Sequence, residues 1–367
     1  MSQSAATGAR LSRRKLVVFT AITAVIPVVL MTLLLLGLDL FLHKRAERSA
    51  GLNRWGYRGP VVGRKQAGET RIAVLGGSTA FGYGVPWFEA APAVLEKRLR
   101  AERPDKPVSV VNLGFNNEGA YSYRFTLDDF SFLDYDVAMF FDGYNDLKGD
   151  DGRNTALFRH DSPIFRLTGY YPILPLVFAE KAMLLRTGGD LKAGYAALRG
   201  EEKTVFKPSL ADRASATALE STVAVTESLG RQLRRFSSPP AAPPAPAERQ
   251  KESQSGCAFP WSFYCQSMHA AVRHALDLNK RVIVVLQPLL PYPMRVEQES
   301  QQTALTSMLE RSFGSEPRFR LLDLTGAVDL GDRNLCFDGM HLSTDGVQRE
   351  VTALMGAIGP AFWTADR

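Results

Sequence analysis

The sequence predicts an α/β fold, a three-layer α/β/α sandwich around a parallel sheet of five strands. Three observations carry this expectation. Short apolar runs recur along the chain, helical patterns separate them, and several runs end in a glycine-rich or polar loop. Strands buried on both faces read as continuous apolar segments, and strand–helix alternation places helices on both sides of the sheet. With 367 residues, 45% of them hydrophobic, the chain can bury a substantial core as one large domain or two small ones.

The first element is not part of that sandwich. Residues 16–42 are nearly continuous apolar sequence, interrupted by Pro27 and the late Asp39. Such a run crosses a bilayer core of about 30 Å, and it exceeds the apolar region of a cleaved signal peptide. Arg10, Arg13, Arg14 and Lys15 precede it, against His43, Lys44, Arg45, Glu47 and Arg48 after it, a modest bias that places the N-terminus in the cytoplasm. The expected organisation is a cytoplasmic tail (1–15), a transmembrane signal anchor (16–42) and a folded domain (50–367) outside the cytoplasm.

Within the domain, strands are expected at 71–75, 108–112, 137–141, 281–287 and 319–324. Helical spacing marks 91–101, 262–279 and 297–313 between them. An insertion of about 150–256 separates the third strand from the fourth. It ends in a proline-rich stretch, 235–256, that cannot continue a helix and reads as a surface loop. The aromatic residues before that loop, Phe158, Phe165, Tyr170, Tyr171, Phe178 and Tyr195 among them, suit either a lid or a packed helical subdomain.

In open α/β sheets, chemistry gathers beyond the carboxyl ends of the strands. Gly76-Gly77-Ser78-Thr79-Ala80-Phe81-Gly82 follows the first strand and places Ser78 where a nucleophile or a phosphate loop would sit. The phosphate reading fails because neither a G-x-G-x-x-G pattern nor a lysine before the hydroxyl residue is present. A serine needs a base. Of five histidines, His43 adjoins the apolar segment, His269 and His274 lie in a helical pattern, and His160 lies in a polar stretch. His341 differs, because Asp338 three residues earlier is placed to accept its Nδ1 proton and leave Nε2 facing a hydroxyl. After the third strand, Asn145 in Gly143-Tyr144-Asn145-Asp146 offers a side-chain amide to an oxyanion. Taken singly, each pattern is also met in ordinary turns and surface pairs.

Together, Ser78, Gly143-x-Asn145-Asp146 and Asp338-x-x-His341, in that order at strand ends, resemble the SGNH (GDSL-type) hydrolase family, with Gly-Gly-Ser in place of the commoner Gly-Asp-Ser. The resemblance covers about 50–150 and 255–350. It implies a flavodoxin-like fold, Ser78 as nucleophile, His341 as base and Asp338 as its orienting acid. The oxyanion hole is then formed by the Ser78 N–H, the Asn145 amide and a glycine N–H. Gly119 is favoured for that glycine because Ala-Tyr-Ser follows it, with Gly114 the alternative. Asp146 reads as a loop brace. Asn53-x-x-Gly56-x-Arg58-Gly59 resembles a lead-in of membrane-associated relatives, in which Arg58 either binds substrate or braces a loop.

The implied activity is ester hydrolysis at the bacterial inner membrane, on O-acetyl esters of envelope glycans or other extracytoplasmic esters. Transfer of the acyl group to a polysaccharide hydroxyl by the same residues is the alternative, and would call for a membrane partner to deliver the acyl donor. A non-enzymatic glycan-binding module is a third reading, one with no need for all four site residues. Cys257 and Cys265 can pair in an oxidising compartment, leaving Cys336 single. No zinc-ligand spacing occurs, and no cofactor or metal is expected. The net charge of +6 is spread along the chain without a basic stripe, which argues against nucleic-acid binding.

Overall fold

The computed structural model describes residues 12–49, 51–147, 154–190, 193, 206–237 and 257–364. Five strands, β1 (Thr70–Gly76), β2 (Val108–Asn112), β3 (Val137–Asp142), β4 (Arg281–Leu286) and β5 (Phe319–Asp323), form one sheet in the order β2-β1-β3-β4-β5. Every neighbouring pair is parallel. The expected strands are therefore present, each with ends within one residue of the expected range.

Alternation along the strands divides the core in two. Ala73, Leu75, Val111, Ala138, Phe140, Val282 and Val284 face one side, with Tyr123, Leu127, Met268, Val272, Leu305 and Leu309. Ile72, Val74, Val110, Val137, Met139, Ile283 and Val285 face the other, with Val94, Leu95, Leu99, Val347, Val351 and Leu354. Helices Ala120–Asp129, Ser262–Asp277 and Met294–Phe313 thus cover the first face, and Ala91–Glu102 and Thr344–Thr364 the second. This is the predicted sandwich. Two of its helices, Ala120–Asp129 and Thr344–Thr364, were not among the expected ones.

Chain order reverses across the sheet between β1, which pairs with β2, and β3, which leads on to β4 and β5. The crevice beyond the ends of β1 and β3 is the switch point where ligands bind in sheets of this kind. The segment after the N-terminal helix runs along the β2 edge, where the Arg58 N–H donates to the Asn112 carbonyl at 3.0 Å.

Part of the insertion is described. Helices Pro163–Thr168, Leu174–Thr187 and Leu210–Ser237 occupy it, the last two joined by an Arg186–Glu220 ion pair at 2.6 Å. Phe165 and Tyr171 are buried in the first core and Phe158 packs against it, so these aromatics serve packing. Tyr195 and residues 238–256, which hold most of the expected proline-rich loop, lie outside the described residues. Cys257 and Cys265 form a disulfide, and Cys336 is a buried thiol.

The N-terminal helix, Arg13–Ser49, is long and apolar enough to cross a membrane. Its apolar side chains from Leu16 to Phe41 are exposed.

Candidate active site

Ser78 opens a helical turn, Ser78–Phe81, directly after β1, so its N–H is among those that lack an intrahelical acceptor. Gly77 precedes it for a steric reason. A Cβ at Gly77 would lie 2.0 Å from the Asn145 Nδ2 and 3.2 Å from the Glu118 carbonyl oxygen. Any side chain there would push the Asn145 amide out of the crevice. At Gly82, φ is +83° and a Cβ would meet Ala90 and the Arg58 guanidinium, so the turn after the serine also requires glycine.

His341 arrives from the loop between β5 and the last helix. That loop is a tight hairpin held by the Cys336–Leu342 bridge, with Phe337 N–H donating to the His341 carbonyl at 3.1 Å and Ser343 N–H to that of Leu335 at 2.9 Å. Asp338 sits inside it. Its Oδ1 accepts the N–H groups of Met340 at 3.0 Å and His341 at 2.8 Å, while Oδ2 lies 2.7 Å from His341 Nδ1. His341 Nε2 lies 2.8 Å from the Ser78 Oγ, 263 residues away in sequence. Burial raises the Asp338 carboxyl, but the bonds from the His341 ring and backbone and from Met340 outweigh it and bring it down to about 2. The carboxylate is ionised at any working pH, so Nδ1 carries the proton and Nε2 presents its lone pair to the serine.

Asn145 follows β3 in a turn of 3₁₀ helix, Tyr144–Asp146. Its Nδ2 donates one proton to the Glu118 carbonyl at 2.7 Å, which fixes the amide beside Gly77 and leaves a second N–H. Asp146 is a brace, as expected: it is buried and accepts the Ala120 N–H at 3.0 Å at the start of helix Ala120–Asp129. The two glycine candidates separate. The Gly114 N–H donates to Asn112 Oδ1 at 3.0 Å, and a Cβ there would meet Phe81 N at 2.7 Å, so Gly114 packs behind the turn. Gly119 follows the Glu118 carbonyl that holds Asn145, and its N–H has no acceptor among the described residues.

Arg58 does not face the crevice. Its guanidinium donates to the carbonyls of Phe81, Gly82 (2.6 Å) and Val85 (2.6 Å) and lies over the Phe81 ring. Of the two expectations for Arg58, bracing describes its contacts and substrate binding does not. Burial lowers it to about 10, still charged at neutral pH.

Several neighbours carry no motif. Tyr83 and Phe337, each about half exposed, place their rings 4.9 and 5.8 Å from the His341 imidazole and flank its open side. Thr79, next to the serine, donates to Gln287 Oε1 at the end of β4 at 2.7 Å. Arg159, from the insertion, and Glu118 form a buried ion pair at 2.9 Å that holds the loop carrying Gly119. None of these carries a sequence signal, because nothing local to Arg159 or Gln287 announces a partner so distant in the chain.

Beneath His341, Thr79, Tyr144, Gln287, Met340 and Glu350 line a small cavity with room for about one water molecule. Glu350 is 5% exposed, and none of the described residues hydrogen-bonds its carboxyl. Burial pushes that carboxyl up from 4.5 to about 7. A raised carboxyl binds more protons folded than unfolded, so its penalty is absent below 4.5 and complete above about 7. Glu350→Gln is expected to gain stability over the parent as pH rises from 5 to 8, by roughly 2 kcal/mol. Melting temperatures of both proteins across that range are the check; a difference that does not change with pH refutes it.

No family model and no curated relative matches the sequence. Among solved structures, the chain is similar to an acetylxylan esterase of Geobacillus stearothermophilus, solved as a catalytic mutant, at 13% identity over 82% of this chain and 97% of that one, with a TM-score of 0.42. It is also similar to a psychrotrophic esterase of a Pseudoalteromonas species, at 11% identity over 81% and 100% with a TM-score of 0.41. A member of the lipolytic G-D-S-L family from Veillonella parvula is similar at 9% identity over 77% and 95%, with a TM-score of 0.39. All three are distant likenesses.

Proposed function

We propose that this protein is a serine ester hydrolase of the SGNH type, held in a membrane by its N-terminal helix. The observation that carries the reading is the continuous line from Ser78 Oγ to His341 Nε2 (2.8 Å) and from His341 Nδ1 to Asp338 (2.7 Å). Ser78 Oγ attacks the acyl carbon while His341 Nε2 takes its proton. Charge developing on the carbonyl oxygen is met by the N–H groups of Ser78 and Gly119 and the free amide proton of Asn145. His341 returns the proton to the departing alcohol, leaving an acyl-Ser78 ester. Water, deprotonated by the same nitrogen, attacks that ester and releases the acid and the free serine.

The substrate class proposed is O-acetyl esters of envelope glycans or other extracytoplasmic esters. The Cys257–Cys265 disulfide supports a domain outside the cytoplasm, in the periplasm or at the cell exterior of a bacterial inner membrane, as does the basic cluster before the apolar run. The test is labelling of the detergent-solubilised full chain by a fluorophosphonate. Labelling is expected in the parent and absent in Ser78→Ala; a parent that stays unlabelled, or a variant that labels equally, defeats the reading. Incubating the parent with an acetylated oligosaccharide, with and without an unacetylated acceptor, then follows the acetyl group by mass. Free acetate as the main product is expected in both; acetylated acceptor as the main product would make the enzyme a transferase.

A further inference from the structure

The N-terminal helix carries two ionisable residues where its apolar run ends, and both are buried. Asp39 and His43, one turn apart, are each 3% exposed, whereas the side chains from Leu16 to Leu38 are bare. They bind one short segment of the insertion. Asp39 Oδ1 accepts the Leu174 N–H at 2.7 Å and Oδ2 accepts the Tyr170 hydroxyl. His43 Nε2 donates to the Tyr171 carbonyl at 2.6 Å, and its ring meets Tyr170 edge-on at 5.4 Å. A charged group buried this completely is costly unless its partners are fixed, so the contact is a socket.

The socket sets a height. Asp39 lies in the last turn of the exposed apolar run, which ends at Phe41, hence near the edge of the hydrocarbon layer, and Tyr170 touches Asp39 directly. Helix Pro163–Thr168 ends two residues before Tyr170, and it exposes two large apolar side chains, Leu167 at 78% and Ile164 at 47%, beside the hydroxyl of Thr168. Three residues span at most about 11 Å, so Leu167 lies within roughly that distance of Tyr170. The headgroup layer is of similar depth, about 5–8 Å on each side. Trp55 packs on Gly169 in the same cluster, with Arg54 6.0 Å from its ring centroid, and the exposed Lys44 and Arg48 follow His43 on the N-terminal helix. Aliphatic tips beside a tryptophan and several cations are the composition of a bilayer interface.

We infer that the catalytic domain is seated rigidly on the bilayer, with the Ile164–Leu167 edge embedded among lipid headgroups and the Asp39–His43 socket fixing its posture. The inference rests on the membrane reading above, and its occupant is lipid.

The test uses the full chain in nanodiscs containing anionic lipid, with a bimane label at Leu167→Cys, at Leu34→Cys within the apolar run, or at Lys97→Cys on the opposite helical layer. Quenching by lipids bearing a nitroxide near the headgroup is read for each, and retained fluorophosphonate labelling verifies folding. Quenching at Leu167 is expected to be comparable with Leu34 and several-fold stronger than at Lys97. If Leu34 is quenched but Leu167 behaves as Lys97 does, the seated posture is wrong while the anchor stands. If Leu34 is unquenched too, the membrane reading itself fails.

Discussion

Ser78→Ala is expected to lower kcat for p-nitrophenyl acetate by about 10³–10⁶-fold, and His341→Ala by a similar factor. The double variant should be no worse than either single one, because an unactivated hydroxyl and a base without a nucleophile are equally idle. Asp338→Asn is the sharper experiment. The asparagine Oδ1 can still accept the Met340 and His341 N–H groups that shape the hairpin, so the loop is retained. What changes is the atom facing Nδ1, where an NH₂ replaces an acceptor, and the imidazole then turns its protonated nitrogen toward Ser78. A loss of about 10⁴-fold is expected with KM little altered. With the Asp338 carboxyl held near 2, any fall in activity between pH 5 and 7 is not its titration. Rates in all three variants equal to the parent would show that the aligned atoms are not the ones that react.

These residues were legible because Ser78 and Asn145 sit in short motifs just past β1 and β3, and Asp338 and His341 share one short motif in the loop after β5. The strands were legible for a related reason: Val137, Ala138, Met139, Phe140 and Phe141 are buried on both faces, so no polar alternation interrupts them. Helix Thr344–Thr364 was not expected, although Val347, Val351, Leu354 and Ile358 recur at helical spacing in it. Helix Ala120–Asp129 hides its pattern, since Ala120, Ser122 and Thr126 are buried beside Tyr123 and Leu127. Small and hydroxyl residues do not mark a face. The socket at Asp39 and the clamp at Arg159 lay beyond reach for another reason: each joins groups far apart in the chain, 131 residues between Asp39 and Tyr170 and 41 between Glu118 and Arg159. Charge in an apolar run or an unmarked insertion shows that a partner must exist without naming it.

The Arg159 clamp yields the largest stability effect. Arg159 is 1% exposed, between the rings of Phe115 and Phe130, and donates to the carbonyls of Gly56 and Leu113 and to both oxygens of Glu118. Burial raises the Glu118 carboxyl toward about 7, and the Arg159 charge opposes that rise. Arg159→Met keeps most of the volume but strands a buried carboxylate, and is expected to cost about 3–5 kcal/mol, or roughly 10 °C in melting temperature. The sign of its pH dependence distinguishes lost charge from lost packing. Without Arg159, the Glu118 carboxyl rises further, so the variant's deficit should be smallest at acid pH, where that group is protonated, and grow as pH increases. Adding Glu118→Gln to Arg159→Met should recover much of the loss at pH 8, since no buried charge then remains. A deficit independent of pH and unrelieved by the second substitution would assign the whole effect to packing. Activity adds a further readout: the Glu118 carbonyl holds Asn145 and the next residue is Gly119, so a loosened clamp should lower kcat more than it raises KM.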